Sequence, residues 1–368
     1  MKKRILSIGV IVVLTASCFG CDKTATTSSK EDASTIEFTE ENSTANNESN
    51  TTFEDDIEPS KGEDEEKETE ASTETNKNIV EDGCTYYVSS TGTILNAGEN
   101  IPSAENNDKY VTMDYEYIYS INSKGWKVCV IDKSKTTYGE ILSSIAGASV
   151  IDMSGTFDGC SSLTTAPKIP SSVTNMSSTF GNCSSLTTAP KIPSSVTNMS
   201  STFGNCSSLT AAPEIPLGVT DMHATFSGCS SLTTAPEIPA SVVDMSITFG
   251  ECSSLTTAPK IPSSVTDMSS TFEGCSSLVI APEIPSSVTC MSGTFRECSS
   301  LTTAPEIPSS VTDMSDTFFM CRSLTGTIVI NANPESYKNC FFSVSFLSQN
   351  IILAGTSTML EDIKTTGK

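Results

Sequence analysis

From Val150 onward the apolar positions of the chain recur every 23 residues. Methionine stands at Met153, Met176, Met199, Met222, Met245, Met268, Met291 and Met314, with a phenylalanine four residues after each and a leucine ten residues after each. Three residues beyond each phenylalanine comes a cysteine: Cys160, Cys183, Cys206, Cys229, Cys252, Cys275, Cys298 and Cys321. Seven of the eight units then run Ala-Pro-(Lys/Glu)-Ile-Pro before the next Val-x-x-Met. A fixed period of this length marks a repeat array. A single unit offers too few apolar side chains to offset the entropy of ordering its own backbone, so the units must stack to fold. The pattern predicts a mainly β solenoid with short parallel strands paired between coils. Proline lacks the N–H that a strand ladder needs, so only two or three paired residues are expected per coil, around Leu-Thr-Thr.

Upstream, the periodicity changes. Val111, Met113, Tyr115, Tyr117 and Tyr119 alternate along 110–120, which predicts one half-buried strand. Asn122-Ser123-Lys124-Gly125 supplies a turn, and Trp126 to Val130 alternates again, completing a hairpin. Thr137-Tyr138-Gly139-Glu140 has the form of a capping box, followed by Ile141, Leu142, Ile145 and Ala146 at helical spacing and by Gly147 as a stop. These signals predict a small β-rich region over 83–148 with a capping helix. The row of tyrosines suits either a sugar-stacking platform or cross-strand core packing. Cys84 and Cys129 are candidates to pair across the region.

Beyond Leu324 the repeat degrades. Thr327 to Ile330 reads as a strand, Tyr337-x-x-Cys340-Phe341 echoes the Phe and Cys positions, 350–354 is apolar, and 359–364 suits a short helix. Residues 325–368 are therefore assigned to a C-terminal cap, which a repeat array needs to cover its last open face.

The N-terminus carries a different signal. Met1-Lys2-Lys3-Arg4 is a positive stretch, and 5–14 is mostly apolar but too short to span a bilayer. Leu14-Thr15-Ala16-Ser17-Cys18 resembles a bacterial lipobox, in which the cysteine becomes the lipidated first residue. Leu14 stands one place early, and Cys21 is the alternative acceptor. Residues 1–17 are thus read as a lipoprotein-type signal peptide, with an ordinary cleaved signal and a secreted product as the other reading. Residues 18–82 follow as a disordered tether. Between Asp22 and Asp82 there are 20 acidic and 5 basic residues, a net −15 (5 − 20), with little apolar content.

The repeat wording itself is informative. Val173-Thr174-Asn175-Met176-x-x-x-Phe180-x-x-Cys183-x-x-Leu186 resembles the frame of a leucine-rich repeat, and the chain is similar to the BspA-like bacterial surface family. The similarity covers 149–324 and departs from the family in its extra proline within Ala-Pro-x-Ile-Pro. The resemblance implies a leucine-rich-repeat-like right-handed coil and adhesion or ligand recognition at the cell surface through the sheet face, without catalysis, and it transfers no residue-specific site.

Charge and chemistry narrow the rest. The chain of 368 residues has a net charge of −23, which argues against a nucleic-acid partner. Its one histidine, His223, replaces the serine that follows methionine in other copies and is expected to be exposed; a dyad with Cys229 lacks a third orienting group. The cysteines follow the repeat and not a metal-ligand spacing, so they are read as a buried structural thiol ladder, with no metal and no cofactor. Cys290 stands where other copies have Asn or Asp, which leaves a reactive thiol or simple drift. The outward position after Ala-Pro varies in sign through Lys168, Lys191, Glu214, Glu237, Lys260, Glu283 and Glu306, and it is the candidate ligand face. No catalytic residues are assigned, because no carboxylate pair is marked out beyond the register of the repeat. The expected function is a surface adhesion module for an extracellular protein or glycan, attached to the membrane only through the N-terminal lipid. A structural or decoy surface protein and a glycan-active enzyme are the alternatives.

Overall fold

The computed structural model describes residues 86–88, 94–96, 104–344, 352–357 and 360. The expected signal peptide, the acidic tether, Cys18, Cys21 and Cys84 lie outside the described residues, as does the C-terminal helix apart from Leu360. The N-terminal strands are β1 (Tyr86–Val88), β2 (Ile94–Asn96), β3 (Lys109–Val111), β4 (Tyr115–Ser120), β5 (Gly125–Val130), β6 (Ser144–Ile145) and β7 (Ala148–Asp152). They form one sheet in the order β2-β1-β3-β4-β5-β7-β6, antiparallel except for β5 and β7. At the other end β8 (Thr327–Val329) pairs in parallel with β9 (Ile352–Ala354).

Two expectations for the N-terminal region are corrected. The single strand over 110–120 is two strands, because the chain turns at Met113-Asp114 and pairs Tyr110 with Tyr117; Met113 is left 70% exposed. The hairpin at Asn122–Gly125 does form, as β4 and β5.

The second correction is that no helix forms over Thr137–Gly147. The N–H of Gly139 donates to Asp114 Oδ2 at 2.6 Å, and that of Leu142 donates to the Tyr117 hydroxyl at 3.0 Å. The Tyr115 hydroxyl donates to the Gly139 carbonyl at 2.7 Å. Side chains around the sheet thus claim the Leu142 N–H and Gly139 carbonyl that a helix would have paired internally and the Gly139 N–H that its cap would have taken, and tertiary contacts override local propensity. Ala146 and Gly147 take φ of 49° and 77°, the two-residue turn of the β6–β7 hairpin and not a helix stop.

The repeat units stack in register. Nine phenylalanine rings, from Phe157 to Phe341, lie face to face with centroids 5.3 to 5.8 Å apart and planes within 12°. The methionine, cysteine, leucine and valine columns are fully buried beside them. The pairing between coils also differs from expectation: each coil contributes single-residue parallel bridges, not strands of two or three residues. One series runs unbroken through the residue before methionine, from Asp152 through Asn175, Asn198, Asp221, Asp244, Asp267, Cys290 and Asp313 to Ser336. A second, at Leu-Thr-Thr, spans only Ala211 to Thr303.

The stretch from Met to Cys supplies further inter-coil bonds. Met176, Ser178, Phe180 and Asn182 donate their N–H groups to carbonyls of the next coil at 3.0, 2.8, 2.8 and 2.7 Å. That zigzag needs left-handed backbone two and six residues after each methionine. Gly155 and Gly159 fill these positions in the first coil, with φ of 66° and 78°. The register continues past Leu324: Tyr337 takes the methionine position, Phe341 stacks on Phe318, and Val344 takes the cysteine position. Cys340 therefore belongs to the threonine column that precedes phenylalanine, not to the cysteine column.

Candidate binding face

Each Ala-Pro-x-Ile-Pro segment turns its isoleucine inward, and the residue between proline and isoleucine points out. Ile169, Ile192, Ile215, Ile238, Ile261 and Ile307 are buried, and Ile284 is half-buried. Lys168, Lys191, Glu214, Glu237, Lys260, Glu283 and Glu306 are all exposed and form one row along the stack. Its sign runs two positive, two negative, one positive, two negative. At the C-terminal end, Asn331 Nδ2 donates to Glu306 Oε1 at 2.5 Å. Between Glu214 and Pro285 these segments wall an open groove of about 960 Å³ across four coils. Prolines and isoleucines line it together with the outward residues Glu214, Glu237, Lys260 and Glu283.

A second depression of about 190 Å³ lies on the Met-to-Cys turns between Asp158 and Ser227. Its side chains are bonded to one another: Asn182 Nδ2 donates to Asp158 Oδ1 at 2.9 Å, and Asn205 Nδ2 donates to Asn182 Oδ1 at 3.0 Å. Further along the stack Glu251, Glu273, Arg296 and Glu297 cluster. Arg296 lies 3.3 Å from Glu273 and 3.5 Å from Glu297, with its guanidinium 4.7 Å from the Phe319 ring centre. Burial, and then the neighbouring Glu273 and Glu297 carboxylates, raise the Glu251 carboxyl above its usual range.

The cysteine column is internal. From Cys183 to Cys321 each thiol donates to a phenylalanine carbonyl of the preceding coil at 3.0 to 3.2 Å. Cys160, in the first coil, instead meets the Tyr138 hydroxyl at 3.4 Å. Desolvation raises all of these thiols, Cys321 to about 12. Cys129 and Cys290 are half-buried.

His223 is half-buried and not exposed: its Nδ1 lies 2.7 Å from Ser246 Oγ, which donates to Asp244 Oδ1 at 2.6 Å. The Cys229 thiol faces the opposite way, inward to Phe203. Tyr115 and Tyr117 are buried, and burial pushes the Tyr117 hydroxyl up to about 12, so these rings pack the core and offer no platform. Among the described residues, no three His, Cys, Asp or Glu side chains converge as a metal site, and no helix is long and apolar enough to cross a membrane.

One column escaped the sequence reading. A threonine precedes every repeat phenylalanine, and each is buried with its hydroxyl shared between two carbonyls. Thr202 Oγ1 lies 2.7 Å from the Met199 carbonyl of its own coil and 2.9 Å from the Met176 carbonyl of the preceding one. The signal was present in the recurrence of Thr-Phe in all eight units.

Residues 148–256 and 245–362 match the family model of the BspA type leucine-rich repeat region, in six copies. Three solved structures are similar. A leucine-rich repeat protein of T. pallidum is 26% identical over 51% of this chain and 87% of its own, with a TM-score of 0.45. A leucine-rich repeat protein from Bacteroides ovatus is 22% identical over 67% and 71%, at 0.48. A leucine-rich cell surface protein from Faecalibacterium prausnitzii is 20% identical over 68% and 76%, at 0.46. No curated protein matches.

Proposed function

Since the chain belongs to the BspA-type leucine-rich repeat family, we propose that it is a non-catalytic binding module displayed at the bacterial surface, with the outward row from Lys168 to Glu306 as its recognition face. One observation carries this reading: the frame around the row is nearly invariant, while the row itself is exposed and changes sign from coil to coil. A scaffold that holds its core constant and varies one solvent-facing column concentrates its differences where a partner would meet them. The carboxylates of the row recur one per coil and stand side by side in a single column, not facing each other across a cleft, which speaks against glycoside hydrolysis. The proposal includes a continuous right-handed solenoid closed at both ends. It also includes export with lipid attachment at Cys18, or Cys21, and residues 18–82 as a spacer; these rest on the N-terminal sequence alone.

The test is display of the full chain on a non-adherent bacterium, with attachment measured to immobilised extracellular matrix proteins and to a glycan array. Attachment that falls at least tenfold when the row residues Lys168, Lys191, Glu214, Glu237, Lys260, Glu283 and Glu306 are all replaced by Ser supports the reading. Attachment to none of the surfaces would favour a purely structural or decoy protein.

A further inference from the structure

The groove between Glu214 and Pro285 carries a departure that the fold does not need. In five of the seven copies the residue after Ile-Pro is serine, at Ser171, Ser194, Ser263, Ser286 and Ser309. In the other two, which are consecutive, it is Leu217 and Ala240, and both line the groove. Leu217 is 85% exposed. The serine copies show that an apolar residue at this position is not required for packing.

The same two coils carry Glu214 and Glu237 in the outward row. Coils in register place such residues roughly 5 Å apart, the inter-strand spacing. Among the described residues neither carboxylate has an ion-pair partner. Lys191 and Lys260 flank the two carboxylates one coil away without an ion pair to either, so the adjacent carboxylates still repel and a cation laid over both relieves that repulsion. Five of the seventeen residues lining the groove are proline, which contributes a carbonyl but no N–H, so the wall presents more acceptors than donors. Both features suit a lysine or arginine. No aromatic ring lines the groove, so a sugar finds no stacking face there.

We infer that this groove takes an extended cationic polypeptide segment, with a Lys or Arg side chain over Glu214 and Glu237 and an apolar side chain against Leu217 and Ala240. The inference rests on the binding-module reading and names the class of its partner. Four coils span about 14 Å, which an extended chain covers in roughly four or five residues at ~3.3 Å each.

The experiment is selection of a random 12-residue peptide display library on the purified full chain. Two comparison variants are Leu217→Ser with Ala240→Ser, and Glu214→Lys with Glu237→Lys. Each introduces a residue that other copies already carry at the same position, so folding is expected to persist; a circular dichroism melt checks it. The expected outcome is peptides with at least two Lys or Arg flanking Leu, Ile, Val or Phe. Their affinity should fall about tenfold on the serine variant, and the lysine variant should select acidic peptides instead. Recovery of no peptide, of acidic peptides on the unmodified chain, or of peptides that bind both variants equally would overturn the inference, as would glycan binding that Leu217→Ser abolishes. A surface-displayed chain that still attaches to a matrix protein when both pairs are replaced would leave the binding-module reading standing and remove only this groove. A chain that attaches to nothing and selects nothing would remove both.

Discussion

Tyr138 meets Phe157 edge-on, with ring centres 5.1 Å apart and planes at 61°, where every later phenylalanine lies flat on its neighbour. Its hydroxyl also reaches Cys160 Sγ at 3.4 Å and donates to the Asp132 carbonyl at 2.6 Å. Tyr138 therefore covers the open end of the cysteine column and shares that of the phenylalanine column with Tyr115, whose ring meets Phe157 at 6.3 Å and 84°. Edge-to-face geometry suits this position, because a ring's positive edge meets the exposed π-face of the last stacked ring.

Tyr138→Ala is expected to cost about 2–4 kcal/mol in chemical denaturation, as for a large aromatic removed from a partly buried site. It should also expose Cys160 to a maleimide or similar thiol reagent while leaving Cys252 protected. Equal protection of Cys160 in both proteins would show that the cap lies elsewhere.

The threonine column predicts a contrast between two conservative changes. Thr202→Val keeps the shape of the side chain but removes the donor shared by the Met176 and Met199 carbonyls, which keep the Thr179 and Thr225 hydroxyls, at an expected cost of about 0.5–1.5 kcal/mol. Thr202→Ser keeps the hydroxyl and should lose less than half as much. Urea denaturation of the two variants decides it; equal losses would make the methyl group, not the hydroxyl, the reason for the column.

What could be read in the sequence follows from how each feature is encoded. The methionine, phenylalanine, cysteine and leucine columns were legible because a buried apolar position repeats its own identity. Thr202 and its equivalents were not, since a polar residue in a regular pattern reads as solvent-facing unless its two carbonyl partners, one of them 26 residues away, are known. The helix expected at Thr137–Gly147 failed for a similar reason: Asp114 and Tyr117 take its N–H groups from more than 20 residues upstream. The outward row could be picked out from its varying sign. The groove it borders could not, because its depth depends on how four successive Pro-x-Ile-Pro segments close against one another. Leu217 and Ala240 were visible as breaks in a serine column, but only the groove gives them a common place.

Ile247 predicts a gain in stability. It holds φ of 57°, a left-handed conformation that crowds a β-branched side chain, at a position where Gly155 and Gly293 serve in other coils. Ile247→Gly relieves that strain, and the half-buried isoleucine gives up only part of its packing in return. A net gain of roughly 1 kcal/mol is expected in thermal or urea unfolding. A loss would mean that the packing of Ile247 across Gly250 outweighs the backbone strain.

The cysteine column predicts a steep alkaline limit. Burial raises these thiols above their ordinary value of 9.0, so the folded chain keeps them protonated at a pH where the unfolded chain ionises them. For a group whose folded value is raised, the stabilisation is complete below the unfolded value and is lost as pH climbs toward the folded one. The window therefore opens near pH 9 and extends to about 12 for Cys321. Each such thiol removes about 1.4 kcal/mol per pH unit inside the window. Several acting together exhaust the roughly 5–15 kcal/mol of an ordinary domain within one or two units. The repeat stack should thus unfold near pH 10 to 11, followed by circular dichroism, while remaining folded at pH 8. Val344 occupies the same column in the last described coil, so valine is compatible with the site. Replacing Cys206, Cys252 and Cys298 by valine should move the alkaline midpoint upward by several tenths of a pH unit. An unchanged midpoint would assign the alkaline transition to the tyrosines of the N-terminal sheet, with Tyr117→Phe as the variant that then shifts it.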